Sequence, residues 1–131
     1  MNKKELIDGY QEWLARYHWI WFGTLTFRRR DISFWLANDV FWRWIVGIDN
    51  AEGTDDFRWF RVTEYGACKD NVHFHCLVGG LKNPCKWPWL LRWQELAGDA
   101  DIFYYIPSLG GLRYILKTAD PKTDFEIQYD L

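Results

Sequence analysis

The segment Val72-His73-Phe74-His75-Cys76-Leu77-Val78 narrows the possible folds more than any other stretch, because it is apolar throughout except for two histidines spaced two apart. In an extended strand neighbouring side chains point to opposite faces. His73 and His75 therefore share one face, and Phe74, Cys76 and Val78 share the other. The second face is built to pack into a core, while the first carries two of the chain's 3 histidines. Imidazoles so placed suggest a ligand pair for a metal ion or a phosphate.

The surrounding chain supplies the rest of a sheet and its cover. Residues 57–65 read as a second strand, so 57–65 and 73–78 are predicted to form an antiparallel hairpin across the loop 66–72, closed by Gly79-Gly80. Leu6, Ile7, Tyr10, Trp13, Leu14 and Tyr17 recur at helical spacing, which predicts an amphipathic helix over 3–16 on the outside of the sheet. Residues 19–27 are aromatic and β-branched and are stopped by Arg28-Arg29-Arg30, the pattern of a strand emerging into solvent. Asp31 is placed to cap a second helix carrying Phe34, Ala37, Phe41, Trp44, Ile45 and Ile48, with Gly47 near its end and a polar turn over 49–56. A third helix over 86–97, a strand over 101–106, a short helix over 111–117 and a last strand over 125–129 complete the series. The expected fold is α+β, a central antiparallel sheet of about five strands with flanking helices, two large ones covering one face, of the ferredoxin or RRM-like kind.

Length and composition agree with one ordered domain: 131 residues, 49 % hydrophobic, 20 % aromatic and 10 tryptophans. Cys68, Cys76 and Cys85 are odd in number and lack C-x-x-C spacing, which argues for free thiols in a reducing compartment and against a disulfide scaffold or zinc knuckle. Glu5, Asp8, Glu12 and Arg16 interrupt the first twenty residues, so neither a signal peptide nor a membrane span is expected, and the protein is read as cytoplasmic. A formal net charge of −2 excludes a chain that coats nucleic acid over its whole surface; any such site is a local patch.

Two imidazoles rarely suffice to fix a divalent ion, and Glu64, near the end of the 57–65 strand, stands close to opposite His73 in the predicted hairpin. Asp70 and Asp101 remain substitutes in that role. Two neutral imidazoles and a carboxylate leave positions open for water and a phosphate oxygen, and Mg²⁺ or Mn²⁺ is the expected ion. Tyr114 and Lys117, three apart on the short helix, share a face. A phenol is a poor nucleophile unless a cation or metal favours its ionised form, which is the expected role of Lys117.

At this point the chain resembles the HUH endonucleases, and among them the small single-tyrosine Rep proteins that initiate rolling-circle replication of plasmids and single-stranded DNA viruses. Phe22-Gly23-Thr24-Leu25-Thr26-Phe27 is similar to the family's first motif, His73-Phe74-His75 with Glu64 upstream to its second, and Tyr114-Ile115-Leu116-Lys117 to its third, Y-x-x-K. The resemblance runs from residue 22 to residue 117. It implies a metal-assisted nick in which Tyr114 attacks a DNA phosphodiester, keeps the 5′-phosphate as a phosphotyrosine and releases a 3′-hydroxyl. It further implies single-stranded origin DNA, linear or hairpin, as substrate, a prokaryotic host, and a monomer or homodimer. The chain has no G-x-x-x-x-G-K-[ST] loop, so a separate helicase and DNA polymerase are implied partners.

Arg28, Arg29, Arg30, Arg113, Lys117 and Lys122 are the expected phosphate contacts, although a basic triplet at a strand end is ordinarily a solvated terminus. Thr24 and Thr26 read as strand residues with good β propensity and are left out of the catalytic set. Tyr104-Tyr105 is a second tyrosine cluster, and the spacing to Lys117 is what favours Tyr114. Three other readings compete: a transposase or relaxase using the same chemistry, a noncatalytic single-strand-binding module, and a two-His, one-carboxylate iron oxygenase. The last lacks both an acid two residues from a histidine and a jelly-roll strand count.

Overall fold

A computed structural model of the chain describes residues 1–65, 71–117 and 126–131. The expected ligand substitute Asp70, the phosphate contact Lys122, Cys68, Phe125 and most of the loop 66–72 lie outside the described residues. The elements run α1 (Lys3–Leu14), β1 (Trp21–Leu25), α2 (Phe34–Glu52), β2 (Gly53–Glu64), β3 (His73–Leu81), α3 (Trp87–Leu96), β4 (Ala100–Tyr104), a 3₁₀ turn (Pro107–Leu109), α4 (Gly111–Leu116) and β5 (Glu126–Asp130). The five strands form one sheet in the order β4-β1-β3-β2-β5, antiparallel at every junction, so the α+β expectation holds.

The hairpin of β2 and β3 has the predicted register, with Glu64 opposite His73, Val62 opposite His75 and Phe60 opposite Leu77. β3 lies in the middle of the sheet, hydrogen-bonded to β1 on one side and β2 on the other. Its two faces divide as the alternation requires. Phe74, Cys76 and Val78 join Trp21, Leu25, Trp59 and Ile102 in a core sealed by Phe41, Trp44, Ile45 and Ile48 of α2 and Trp93 of α3. On the opposite face Leu77, Phe60 and Val62 pack under Ile7 and Leu14 of α1 and Leu112, Ile115 and Leu116 of α4. Both faces are thus covered, but α1 and α4 leave open the end of the second face where His73 and Glu64 sit.

Both ends of α2 differ from the sequence expectation. Ser33, not Asp31, caps α2: its hydroxyl accepts from the Leu36 amide at 3.2 Å, whereas Asp31 pairs with Arg29 at 2.9 Å. Asp31 lies too far ahead of the first helical residue to reach the open amides, which only the residue directly before the helix can do. The turn expected over 49–56 is instead the last turn of α2 followed directly by β2. Gly47 does not stop the helix, and a Cβ there would only touch the Trp89 indole at an ordinary 3.5 Å. Ile48, one residue on, is fully buried and holds the helix to the core for another turn.

Gly80, expected to close the hairpin, lies inside β3 with φ of 75°, beside the register break of β2 between Gly53 and Arg58. A Cβ there would collide with the Asp56 carbonyl, so the bulge needs glycine. Cys76 and Cys85 are free thiols, and burial pushes the Cys76 thiol up to about 12. Among the described residues no helix is long and apolar enough to cross a membrane.

Candidate active site

The open end of the second face gathers residues from four elements. The pairing row Asp101–Thr24–His75 crosses β4, β1 and β3, and Glu64 ends β2 beside it. Period-two alternation puts Thr24, His75 and Glu64 on one side of the sheet. Their side chains meet: Thr24 Oγ1 is 3.1 Å from His75 Nδ1, and His75 Nε2 is 2.6 Å from Glu64 Oε2. His75 is 3 % exposed, and Glu64 carries the contact out towards solvent.

Burial lowers the His75 pKa from its ordinary value, against the opposing pull of the Glu64 hydrogen bond and charge, with the charges of Lys117 and His73 acting in the same direction as burial. The neutral ring has a proton on one nitrogen. The short approach to a carboxylate assigns it to Nε2, and the Thr24 hydroxyl then donates to Nδ1. A hydroxyl both donates and accepts, so Thr24 can equally accept a hydrogen bond from Nδ1–H when Nε2 offers its lone pair to a cation.

α4 delivers the tyrosine. Leu112, Ile115 and Leu116 bury into the second core and fix the helix rotation, which leaves Tyr114 on the side towards β3. Its ring stands edge-on to that of His75, centroids 5.8 Å apart at 87°, and is 48 % exposed. Lys117 Nζ lies 4.4 Å from the centre of the same ring. The two rival tyrosines are placed otherwise. Tyr104 accepts a hydrogen bond from the Lys86 amide through its hydroxyl, and Tyr105 packs against the second core, where burial raises its pKa.

The expected metal ligands divide into a contacting pair and a neighbour. Glu64 and His75 touch, and His73 stands opposite Glu64 in register. Among the described residues no three His, Cys, Asp or Glu side chains are gathered closely enough to enclose an ion. The donors nevertheless fit a divalent cation in kind. Two imidazoles and a carboxylate occupy one face, and the Thr24 contact at Nδ1 turns Nε2 of His75 towards the carboxylate. Asp101 is separated from His75 by Thr24 in the pairing row, which removes it as a substitute for Glu64.

The cationic residues are less concentrated than the sequence suggests. Arg113 pairs with Asp8 of α1, Arg29 with Asp31 at 2.9 Å, and Arg28 donates to the Gln94 carbonyl at 2.6 Å. Arg30 is exposed, and its carbonyl accepts from the Asn71 amide at 2.8 Å, which brings the triplet to the end of the sheet where β3 begins. Sequence reasoning left out Thr24 as a partner of His75. The two lie 51 positions apart, and only strand pairing joins them. Comparison of the chain with protein-family models, curated proteins and solved structures finds no match.

The buried imidazole carries a pH signature. The unfolded chain takes up a proton near pH 6.5, whereas the folded state resists it to a lower pH. Above the unfolded value the group contributes nothing to the pH dependence, and as pH falls through it the native state loses stability. Thermal melts in EDTA between about pH 7.5 and 5.5 are therefore expected to fall with acidification, and His75→Gln to flatten that part of the profile. An unchanged slope in the variant would assign the acid sensitivity elsewhere.

Proposed function

We propose that this protein is a nicking and joining enzyme for single-stranded DNA that works through a phosphotyrosine, of the HUH endonuclease kind. The observation that carries the reading is the convergence of His75, Glu64, Tyr114 and Lys117, from β3, β2 and α4, into one contacting cluster. Two short motifs far apart in the chain meet at one place, as a single reaction using both requires. The strand order β4-β1-β3-β2, with α2 and α3 together on one face, supports the ferredoxin-like detail of the fold.

In this reading Tyr114 Oη forms a bond to phosphorus as the bond from phosphorus to the 3′ oxygen breaks. The 5′-phosphate stays esterified to the tyrosine, and the phenolic proton passes in net terms to the departing 3′-hydroxyl. Attack by a 3′-hydroxyl on the phosphotyrosine restores the phenol and rejoins the strand. Glu64, His73 and His75 would hold Mg²⁺ or Mn²⁺, whose Lewis acidity withdraws charge from the phosphate oxygens. Lys117 stands beside the phenol, where its ammonium offsets the charge that develops on the reacting oxygens. Thr24 positions the His75 ring. The exposed Arg30 offers a phosphate contact at the same end of the sheet. Replication initiation, with a separate helicase and polymerase acting after the nick, is the proposed setting.

The test is a denaturing gel of purified protein incubated with Mn²⁺ and single-stranded oligonucleotides from its own replicon. A band shifted upward by the mass of one DNA fragment, and absent in EDTA, is expected. No shift with any origin fragment would overturn the reading in favour of a noncatalytic binding module.

A further inference from the structure

Beside Tyr114, on the β4 side of the sheet, a groove of about 400 Å³ is lined by Phe22, Thr24, Asp101, Phe103, Leu109 and Tyr114. It continues into a largely aromatic and aliphatic hollow of about 390 Å³ that shares Phe22, Phe103 and Leu109 and adds Lys86, Tyr104 and Ile106. Large apolar side chains stand out into solvent here instead of packing: Phe103 is 53 % and Leu109 75 % exposed. Phe103 is held by the ring of Phe22, with centroids 5.3 Å apart and planes 25° from parallel. Lys86 Nζ also lies 5.7 Å from the centre of the Phe103 ring, and about half of the residue remains exposed. An exposed aromatic ring held by a neighbouring ring, with a cation beside it, is a platform on which an unpaired nucleobase stacks.

The groove has one carboxylate among its described lining residues, Asp101, the pairing partner of Thr24 across β1 and β4. An ionised carboxylate repels phosphate and accepts hydrogen bonds without donating any, so it does not serve the DNA backbone. It does suit the exocyclic amino group of a base edge, which cytosine carries and thymine lacks. The Thr24 hydroxyl is engaged by His75 and the Tyr114 phenol faces the proposed cut, so Asp101 is the groove's polar side chain with no part in the proposed reaction.

We infer that this groove is a base-reading subsite for a nucleotide flanking the scissile phosphate. The base stacks on Phe103, and Asp101 accepts a hydrogen bond from its amino group, so the site selects an amino-bearing base over thymine. The inference rests on the nicking reading for its substrate and for its place beside the cut, since Tyr114 lines the same groove.

The experiment is fluorescence anisotropy of labelled dC8 and dT8 titrated with the full chain in EDTA, for wild type, Phe103→Ala, Phe103→Trp and Asp101→Asn. Wild type is expected to bind dC8 about fivefold or more tightly than dT8. Phe103→Ala is expected to weaken both about tenfold, and Phe103→Trp, which keeps a stacking face, to retain binding. Asp101→Asn should erase the preference, because an amide donates to the thymine carbonyl as readily as it accepts from an amino group. Both residues are exposed on an edge strand, so melting temperatures close to wild type should accompany these changes. Equal affinity for dC8 and dT8, or wild-type affinity in Phe103→Ala, overturns the subsite. Binding here is read without divalent ion or cleavage. An intact preference with no tyrosine adduct would overturn the nicking reading alone, and an adduct with no base preference would overturn the subsite alone.

Discussion

Tyr114→Phe is expected to abolish the covalent protein–DNA adduct while shifting the melting temperature by no more than about 2 °C. The phenol is half exposed, and its ring contacts with His75 and Phe22 depend on the ring and not on the hydroxyl. Phenylalanine keeps those contacts and removes the one atom that, in the proposed nicking reaction, bonds to phosphorus. Tyr105→Phe, at a phenol packed against the core, should leave the adduct intact. Lys117→Met should slow adduct formation without eliminating it, since a charge beside the reaction modulates a step that the nucleophile alone can perform. The comparison is made by denaturing gel at equal protein and Mn²⁺. An adduct persisting in Tyr114→Phe would sink the assignment of the nucleophile.

The largest effect on stability is expected at Arg61, a fully buried guanidinium on the other face of β2. It donates to Asn38 Oδ1 of α2 at 2.9 Å and to Gln128 Oε1 of β5 at 2.8 Å, tying a helix and an edge strand to the sheet. Its guanidinium carbon lies 4.2 Å from the Phe74 ring centre and 4.7 Å from that of Phe41. Arg61→Ala removes this packing and leaves two half-buried amide oxygens without their donor, for a loss of about 3–5 kcal/mol. Arg61→Lys should not rescue it, because an ammonium lacks the planar guanidinium that packs against the Phe74 and Phe41 rings. Arg61→Met, which keeps apolar volume, should lose less than alanine. Urea unfolding measures all three, and a loss below about 1 kcal/mol in the alanine variant would show that the ring contacts and hydrogen bonds contribute little net stability.

The alternation of residues 73–78 was enough to divide His73 and His75 from Phe74, Cys76 and Val78, because side-chain direction in a strand depends on nothing beyond the parity of the position. The opposition of Glu64 and His73 was equally legible, since a hairpin is a local structure whose register follows from its loop. Helical spacing likewise located the four helices, but not where α2 begins and ends. Its start depends on which side-chain oxygen reaches an open amide, and its end on the burial of Ile48.

What the tertiary structure alone decided are contacts between residues distant in sequence. Thr24 touches His75 because β1 and β3 pair, and Tyr114 reaches His75 because three leucine and isoleucine side chains of α4 seat that helix on the sheet. Arg61 follows the same rule in the opposite sense. In sequence it is one charge in an alternating strand, and only the stacking of α2 and β5 around β2 turns it into a buried group with partners. Periodicity is a local property of the backbone, whereas a partner is chosen by which faces the whole fold brings together, and that choice is made by the packing of all the apolar surfaces at once.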